Sequence, residues 1–233
     1  MAGPTKRAPS SGAGAGSTPG DASREEILRA AAELFMAAGY AATSIDAVAR
    51  RLGATKGRIY HHYRSKSDLY LEVQLAAMRR LDDAVGAIAR GPGRPEERLA
   101  AMALRHVRIL LTELPMQKVA VQGLERHLLA SSDARQLRAV VKMRDHYEDL
   151  FVEVIDEGIR AGVFVDLPPK LATKPFFGAM NWATVWYSQR RLQSADAIDD
   201  IARSLAAFAM RGILKDVGHE EARRTALLGD QRS

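Results

Sequence analysis

From residue 21 to about residue 215 apolar side chains recur every three or four positions, and no β-branched alternating run is long enough for a sheet strand. A chain patterned this way buries its apolar stripes only by packing helix on helix. The stops are equally regular. Ile27, Ala31, Leu34, Phe35 and Ala38 form a first stripe closed by Gly39. A second short segment, 43–52, carries Ile45, Val48, Ala49 and Leu52 on one face, with Thr43 placed to cap it and Asp46 three residues on, as in a capping box. Gly53-Ala54-Thr55 leads into a third, 56–63, and Ser65 opens a long helix over about 66–89. After the Gly91-Pro92-Gly93-Arg94-Pro95 break the spacing predicts helices over about 95–114, 116–130, 133–161 (capped by Ser132 and stopped by Gly162), 169–191 and 195–215. Pro175 falls inside the eighth and should kink it. The expectation is an all-α fold of nine helices, three short or medium ones followed by six that are mostly longer.

Composition narrows the function. There is no cysteine, which removes disulfides, zinc fingers, iron–sulfur clusters and thiol catalysis. No stretch approaches the roughly 20 apolar residues of a membrane helix, and Lys6-Arg7 is not followed by the apolar run of a signal peptide. No membrane partner is expected, and a cytoplasmic location is. Residues 1–20, rich in Gly, Ala, Ser and Pro, and the polar residues 217–233 read as flexible tails.

The net charge is +6, and it is concentrated. Arg50, Arg51, Lys56, Arg58, Arg64 and Lys66 lie within seventeen residues that contain no acid, whereas residues 71–233 hold 24 basic and 22 acidic side chains. A charge run is commonly just a solvated face. This one coincides with two short helices joined by a Gly-containing turn, the helix-turn-helix pattern, and is interleaved with Tyr60, His61, His62 and Tyr63. Cations neutralise phosphates, while phenol and imidazole groups fix register on a duplex.

The stretch REEILRAAAELFMAAGYAATSIDAVARRLGATKGRIYHHYRSKSDLYL, Arg24 to Leu71, resembles the N-terminal domain of TetR-family transcriptional regulators without a gap. The resemblance implies a three-helix helix-turn-helix DNA-binding unit, 21–67, and a helical ligand-binding and dimerisation domain, 68–216. It implies DNA contacts from Thr43, Thr55, Lys56, Gly57, Arg58, Tyr60, His61, His62 and Lys66, with Ile59 and Tyr63 packing the recognition helix and the Tyr63 hydroxyl near the rim. The implied partners are a palindromic double-stranded operator, a second copy of the chain, and a small effector, expected to be hydrophobic. The C-terminal pattern MRDHYEDLFVEVIDEGIRAGVFVDL…FFGAMNWATVWYSQRRLQSADAIDDIARSLAAFAMRGIL is similar to the branch that responds to acyl-CoA thioesters or other lipid catabolites.

Candidate effector residues are Met102, His106, Gln122, Tyr147, Phe151, Trp182 and Trp186, each on an apolar stripe with a polar or polarizable tip, although each is also an ordinary core residue type. Arg144, Arg190 and Arg191 are candidates for an anionic ligand group. Candidate interface residues are Ile198, Ile201, Leu205, Phe208, Ala209 and Ile213 on the last helix, with Phe176, Met180, Ala183 and Tyr187 on the eighth. Two such helices per subunit close a four-helix bundle, but one stripe must face its own core. No metal site, catalytic residue or cofactor is expected. Adjacent His61 and His62 point about 100° apart on a helix, His106, His127 and His146 lack metal-ligand spacing, Asp82-Asp83 and Asp199-Asp200 diverge, and GxSxG, phosphate-loop and HExxH motifs are missing. An enzyme and an architectural DNA-binding protein are the alternatives. The first lacks salt-sensitive operator binding, the second ligand release and defined half-sites.

Overall fold

The computed structural model describes residues 19–122, 134–188 and 194–215. Residues 1–18 of the N-terminal tail, the C-terminal tail, Ser132, His127, Arg190 and Arg191 lie outside the described residues, while Pro19 and Gly20, expected in the tail, open the first helix. The described residues form α1 (Pro19–Ala42), α2 (Ile45–Arg51), α3 (Lys56–His62), α4 (Lys66–Ala89), α5 (Pro95–Thr112), α6 (Leu114–Val121), α7 (Ala134–Arg160), α8 (Pro169–Asn181), the single turn α9 (Ala183–Trp186) and α10 (Ala195–Ile213). Counting α8 and α9 as one interrupted helix, nine helices are described, with no strand among them. The sheet-like pairing among the described residues is one bridge, Phe164 to Leu214.

Local chemistry explains most boundaries. Gly39 takes φ 78°, a left-handed conformation that breaks α1 before its last turn. Gly53, at φ 59°, turns the chain between α2 and α3. Ser65 Oγ accepts from Asp68 N at 3.0 Å, and Ser194 Oγ from Ala197 N at 3.2 Å, so both helix starts expected from sequence are capped. Pro115 does more than end α5: it sits in the first turn of α6, where its missing N–H costs nothing.

Two expectations are corrected. Thr43 does not cap α2. Ser44 does, accepting from Ala47 N at 3.1 Å, while Thr43 is 4% exposed and its hydroxyl donates back to Gly39 O at 2.8 Å. Extended backbone at Ser44 places its hydroxyl over the free N–H groups, and the Gly39 bend claims Thr43. The eighth helix does not run to Arg191. It stops at Asn181, where Thr184 Oγ1 donates to Asn181 O at 2.9 Å and Val185 N reaches only three residues back, to Trp182 O. That tightened turn ends with Tyr187 in an extended conformation.

α4 is the central element and packs against α1, α5, α6 and α7; α10 packs against α5 and α8. Val165 N donates to Ile213 O and Lys215 N to Val163 O, tying the α7–α8 connection to the end of α10. Phe164, 1% exposed, plugs this corner against Gly158. A methyl at Gly158 would overlap the Phe164 ring. Alanine normally favours a helix by up to about 1 kcal/mol over glycine, but the buried ring has no room to move. Gly158→Ala is therefore expected to destabilise the chain by about 1–3 kcal/mol, read as a lower urea midpoint. A raised midpoint would show that the corner is loosely packed.

Candidate nucleic-acid interface and effector cavity

α2 and α3 are held by apolar anchors. Ile45, Val48 and Ala49 of α2 are buried, as are Ile59 and Tyr63 at and after α3. This leaves the other side of α3 outward: Lys56, Gly57, Arg58, Tyr60 and His61 are exposed, and His62 is half-buried. Thr55 stands at the N-cap position of α3 without a side-chain cap bond, so its hydroxyl is not committed to the helix. Of the DNA contacts implied by sequence, seven lie on or at the rim of one surface. Thr43 does not, because its hydroxyl is turned into the bend of α1. Tyr63 is 2% exposed, so its hydroxyl is within the core and not at the rim.

Lys66 opens α4 and reaches back to α1. Its Nζ donates to Tyr40 O at 2.9 Å and Ala41 O at 3.3 Å and lies 4.3 Å from the Tyr40 ring centroid. An ammonium at the last carbonyls of a helix is favoured by the dipole. The structure also supplies acids from outside the basic stretch. Asp46 pairs with Lys56 at 3.1 Å and Glu26 with Arg58 at 3.0 Å, while Glu33 pairs with Arg51. The pairing with Asp46 raises the Lys56 pKa. Burial, followed by the charges of His61, Arg24 and Arg58, lowers that of His62.

The second site is a cavity of about 160 Å³ among α4, α5, α6, α7 and α8. Met78, Leu81, Ala120, Val121 and Phe177 supply apolar walls; His106, Gln117, Tyr147 and Asn181 supply polar groups; Arg144, Glu148 and Lys174 add charge. His106 is the hub. Its Nδ1 lies 2.9 Å from Tyr147 Oη and its Nε2 2.9 Å from Asn181 Oδ1. The amide oxygen only accepts, so Nε2 carries the proton and Nδ1 accepts from the Tyr147 hydroxyl. Phe151 and Phe177 pack beside this pair with ring centroids 4.7 Å apart. Gln117, fully buried, donates through Nε2 to Ala77 O at 3.2 Å. Lys174 pairs with Glu148 at 2.5 Å.

Three sequence candidates, His106, Arg144 and Tyr147, thus come together, and Phe151 stands directly behind them. Met102 is core, 0% exposed and off the cavity wall. Gln122 is exposed at the end of α6. Trp182 and Trp186 are 63% and 50% exposed, because the break after Asn181 swings them outward. The missed residues had a signal: Lys174, Phe177 and Asn181 share one face of α8, and Glu148 shares a face of α7 with the candidates Arg144 and Tyr147.

The interface candidates also divide. Phe176, Met180, Tyr187, Ile198 and Ile213 are buried in the protomer's own core, so those five are corrected from interface to core. Ile201 and Leu205 are half-buried, and Phe208 is 66% exposed. Around Phe208, Leu167 and Pro175 line an apolar groove between α8 and α10, with Leu171, Trp182, Val185 and Trp186 exposed along α8 and α9. Among the described residues no group of three potential metal ligands is found, and no helix is long and apolar enough to cross a membrane.

A basic helix-turn-helix carried on a larger helical body defines a DNA-binding regulator. The family model described as bacterial regulatory proteins of the tetR family matches residues 27–73, and the one described as tetracyclin repressor-like, C-terminal domain, matches residues 92–213. The chain belongs to the TetR family of transcriptional regulators and is not an enzyme. It is 24% identical over 209 residues to the HTH-type transcriptional repressor KstR2 of Mycolicibacterium smegmatis, covering 85% of this chain and 94% of that protein. Its fold is similar to the TetR-family regulator PfmR from Thermus thermophilus (TM-score 0.68, 27% identity, 80% of this chain and 97% of that one). It is also similar to AibR, solved with isovaleryl coenzyme A and operator DNA (TM-score 0.64, 22% identity, 78% and 97%).

The His106 network has a pH signature. Burial lowers the His106 pKa to about 4, against the opposing Asn181 hydrogen bond. The native state therefore resists the proton that the unfolded chain takes up near pH 6.5. This stability is complete above that pH and is lost as pH falls toward about 4. The shift corresponds to about 3 kcal/mol. The stability gap between the wild type and His106→Gln, measured by urea unfolding, is expected to close by about that amount from about pH 7 to about pH 4. A constant gap would show that His106 is solvated or protonated in the native state.

Proposed function

We propose that this chain is a repressor that binds a palindromic operator as a homodimer and is released by a small apolar effector, with an acyl-CoA as the leading class. The unit 21–67 takes the DNA and 68–216 takes the effector and the second copy. The observation that carries the reading is the course of α4. Its first turn holds Lys66 against α1, at the edge of the exposed α3 surface, and its middle supplies Met78 and Leu81 to the cavity wall. One rigid rod therefore touches both places. A ligand that prefers a different α4 position lowers operator affinity by its differential affinity for the two states, commonly about 1–3 kcal/mol.

The acyl-CoA assignment is supported by an apolar cavity with cationic Arg144 and Lys174 among its lining and by the C-terminal similarity; AibR, of the same fold, was solved with isovaleryl coenzyme A. The exposed apolar surface of α8 and α10 supports the homodimer, since patches rimmed by polar groups mark association sites. Two copies joined there present two α3 helices for successive major grooves about 34–36 Å apart.

Footprinting with purified protein is expected to protect an inverted repeat, and thermal-shift hits among acyl-CoAs are expected to release it in gel shifts. Sequence-indifferent binding alone, or hits that leave operator binding unchanged, would refute the reading. Arg58→Ala should cost about 1–3 kcal/mol and relax preference at one base pair; an equal loss on scrambled DNA would reassign Arg58 to phosphate. Phe208→Glu should convert the dimer into a 25.5 kDa monomer in light scattering and weaken operator binding. An unchanged dimer would place the interface elsewhere.

A further inference from the structure

The geometry points to a hydroxyl-bearing apolar group as the part of the ligand that enters the α4–α8 cavity, an inference that rests on reading this cavity as the effector site. The uncharged polar groups on the wall are each partly engaged. Both ring nitrogens of His106 are engaged, one by Tyr147 Oη and one by Asn181 Oδ1. Gln117 has given its amide N–H to Ala77 O. Two groups remain. The Asn181 amide nitrogen still donates, and Gln117 Oε1, on a side chain with no exposure, has no hydrogen-bond partner. An unsatisfied buried acceptor is costly until a donor arrives.

A hydroxyl has both complements, a donor for Gln117 Oε1 and an acceptor for the Asn181 amide. A plain hydrocarbon leaves both groups unmet. A carbonyl meets only the donor. A carboxylate also only accepts, and no cation lies among the buried residues of the wall to offset its desolvation. The cations stand further out: Arg144 is half-buried, and Lys174 is exposed and already paired with Glu148. Neutrality of the histidine, enforced by burial, keeps the network uncharged. Size sets the other limit. At about 160 Å³, against roughly 30 Å³ for one water in the liquid, the cavity holds on the order of five to eight non-hydrogen atoms. A larger ligand places only its tip inside, with any anionic portion beside Arg144. In an acyl thioester this tip is a short hydroxyacyl group.

The test uses the full chain and three fragments that fit the cavity: cyclohexanol, chlorocyclohexane and cyclopentanecarboxylate, with affinities from calorimetric or saturation-transfer NMR titration. Cyclohexanol is expected to bind at least about tenfold more tightly than either of the others, one net buried hydrogen bond being worth about that factor. Equal or tighter binding of the chloride or the carboxylate, or no binding of cyclohexanol, would overturn the inference. Gln117→Met keeps the volume and removes the acceptor. It should cost cyclohexanol about tenfold and leave chlorocyclohexane within about threefold. Unchanged cyclohexanol affinity in the folded variant would also overturn it. If that variant does not fold, the three-fragment comparison on the unmodified chain decides the matter. Operator release is read separately by gel shift. Selective binding of cyclohexanol without release at saturation sustains the hydroxyl selection and sinks the effector reading.

Discussion

Burial of α4 on every face but the narrow one carrying Arg79, Asp83 and Ala87 is the constraint from which the rest of the structure follows. Leu69, Val73, Ala77, Leu81 and Val85 repeat at helical spacing and are nearly or wholly inaccessible. Fully burying a large aliphatic side chain contributes about 1.5–3 kcal/mol, so this one helix organises a major share of the core. Because α1, α5, α6 and α7 all pack on it, none of them can shift without disturbing it. The same helix places Tyr70 against the rings of Phe35 and Tyr40 at one end and reaches the His106 cavity further along. A shared, stiff element of this kind is the sort of structure that can carry coupling between two sites.

Charge plays two opposite parts in the molecule. On the α2–α3 face it is exposed and held loosely by Asp46 and Glu26. Surface ion pairs of this kind are worth about 0–1 kcal/mol, so phosphates can displace them at little cost. Around His106 the arrangement is reversed. Burial keeps the imidazole uncharged, and its neighbours Tyr147 and Asn181 satisfy it with neutral hydrogen bonds. A polar network survives in a core only when nearly all its members are paired. That makes the unpaired Gln117 oxygen the chemically informative atom of the cavity.

The fold is largely legible in the sequence because its signals are local. Helical spacing, Gly39, Gly53, Ser65, Ser194 and the Pro-Gly break each act within a few residues, and the structure uses each of them. Thr43 departs from expectation for a reason of the same scale. Thr43 and Ser44 are both able to cap, and only the bend of α1 decides which hydroxyl is free. The end of the eighth helix is hidden in the sequence because Thr184 is an acceptable helix residue until its hydroxyl captures the Asn181 carbonyl.

What the sequence determined by itself is the set of helices, the concentration of six cations on and around a helix-turn-helix, and the family to which that pattern belongs. These depend on spacing along the chain. The tertiary structure decided which side each stripe faces. It sent Phe176, Met180, Ile198 and Ile213 inward and Phe208 and Trp182 outward. It brought Glu26 to Arg58 across 32 positions and Asn181 to His106 across 75. An amphipathic helix announces that it has an apolar face, but not whether its own core or another surface will cover it. That choice is made by the neighbours, and they meet only in the folded chain.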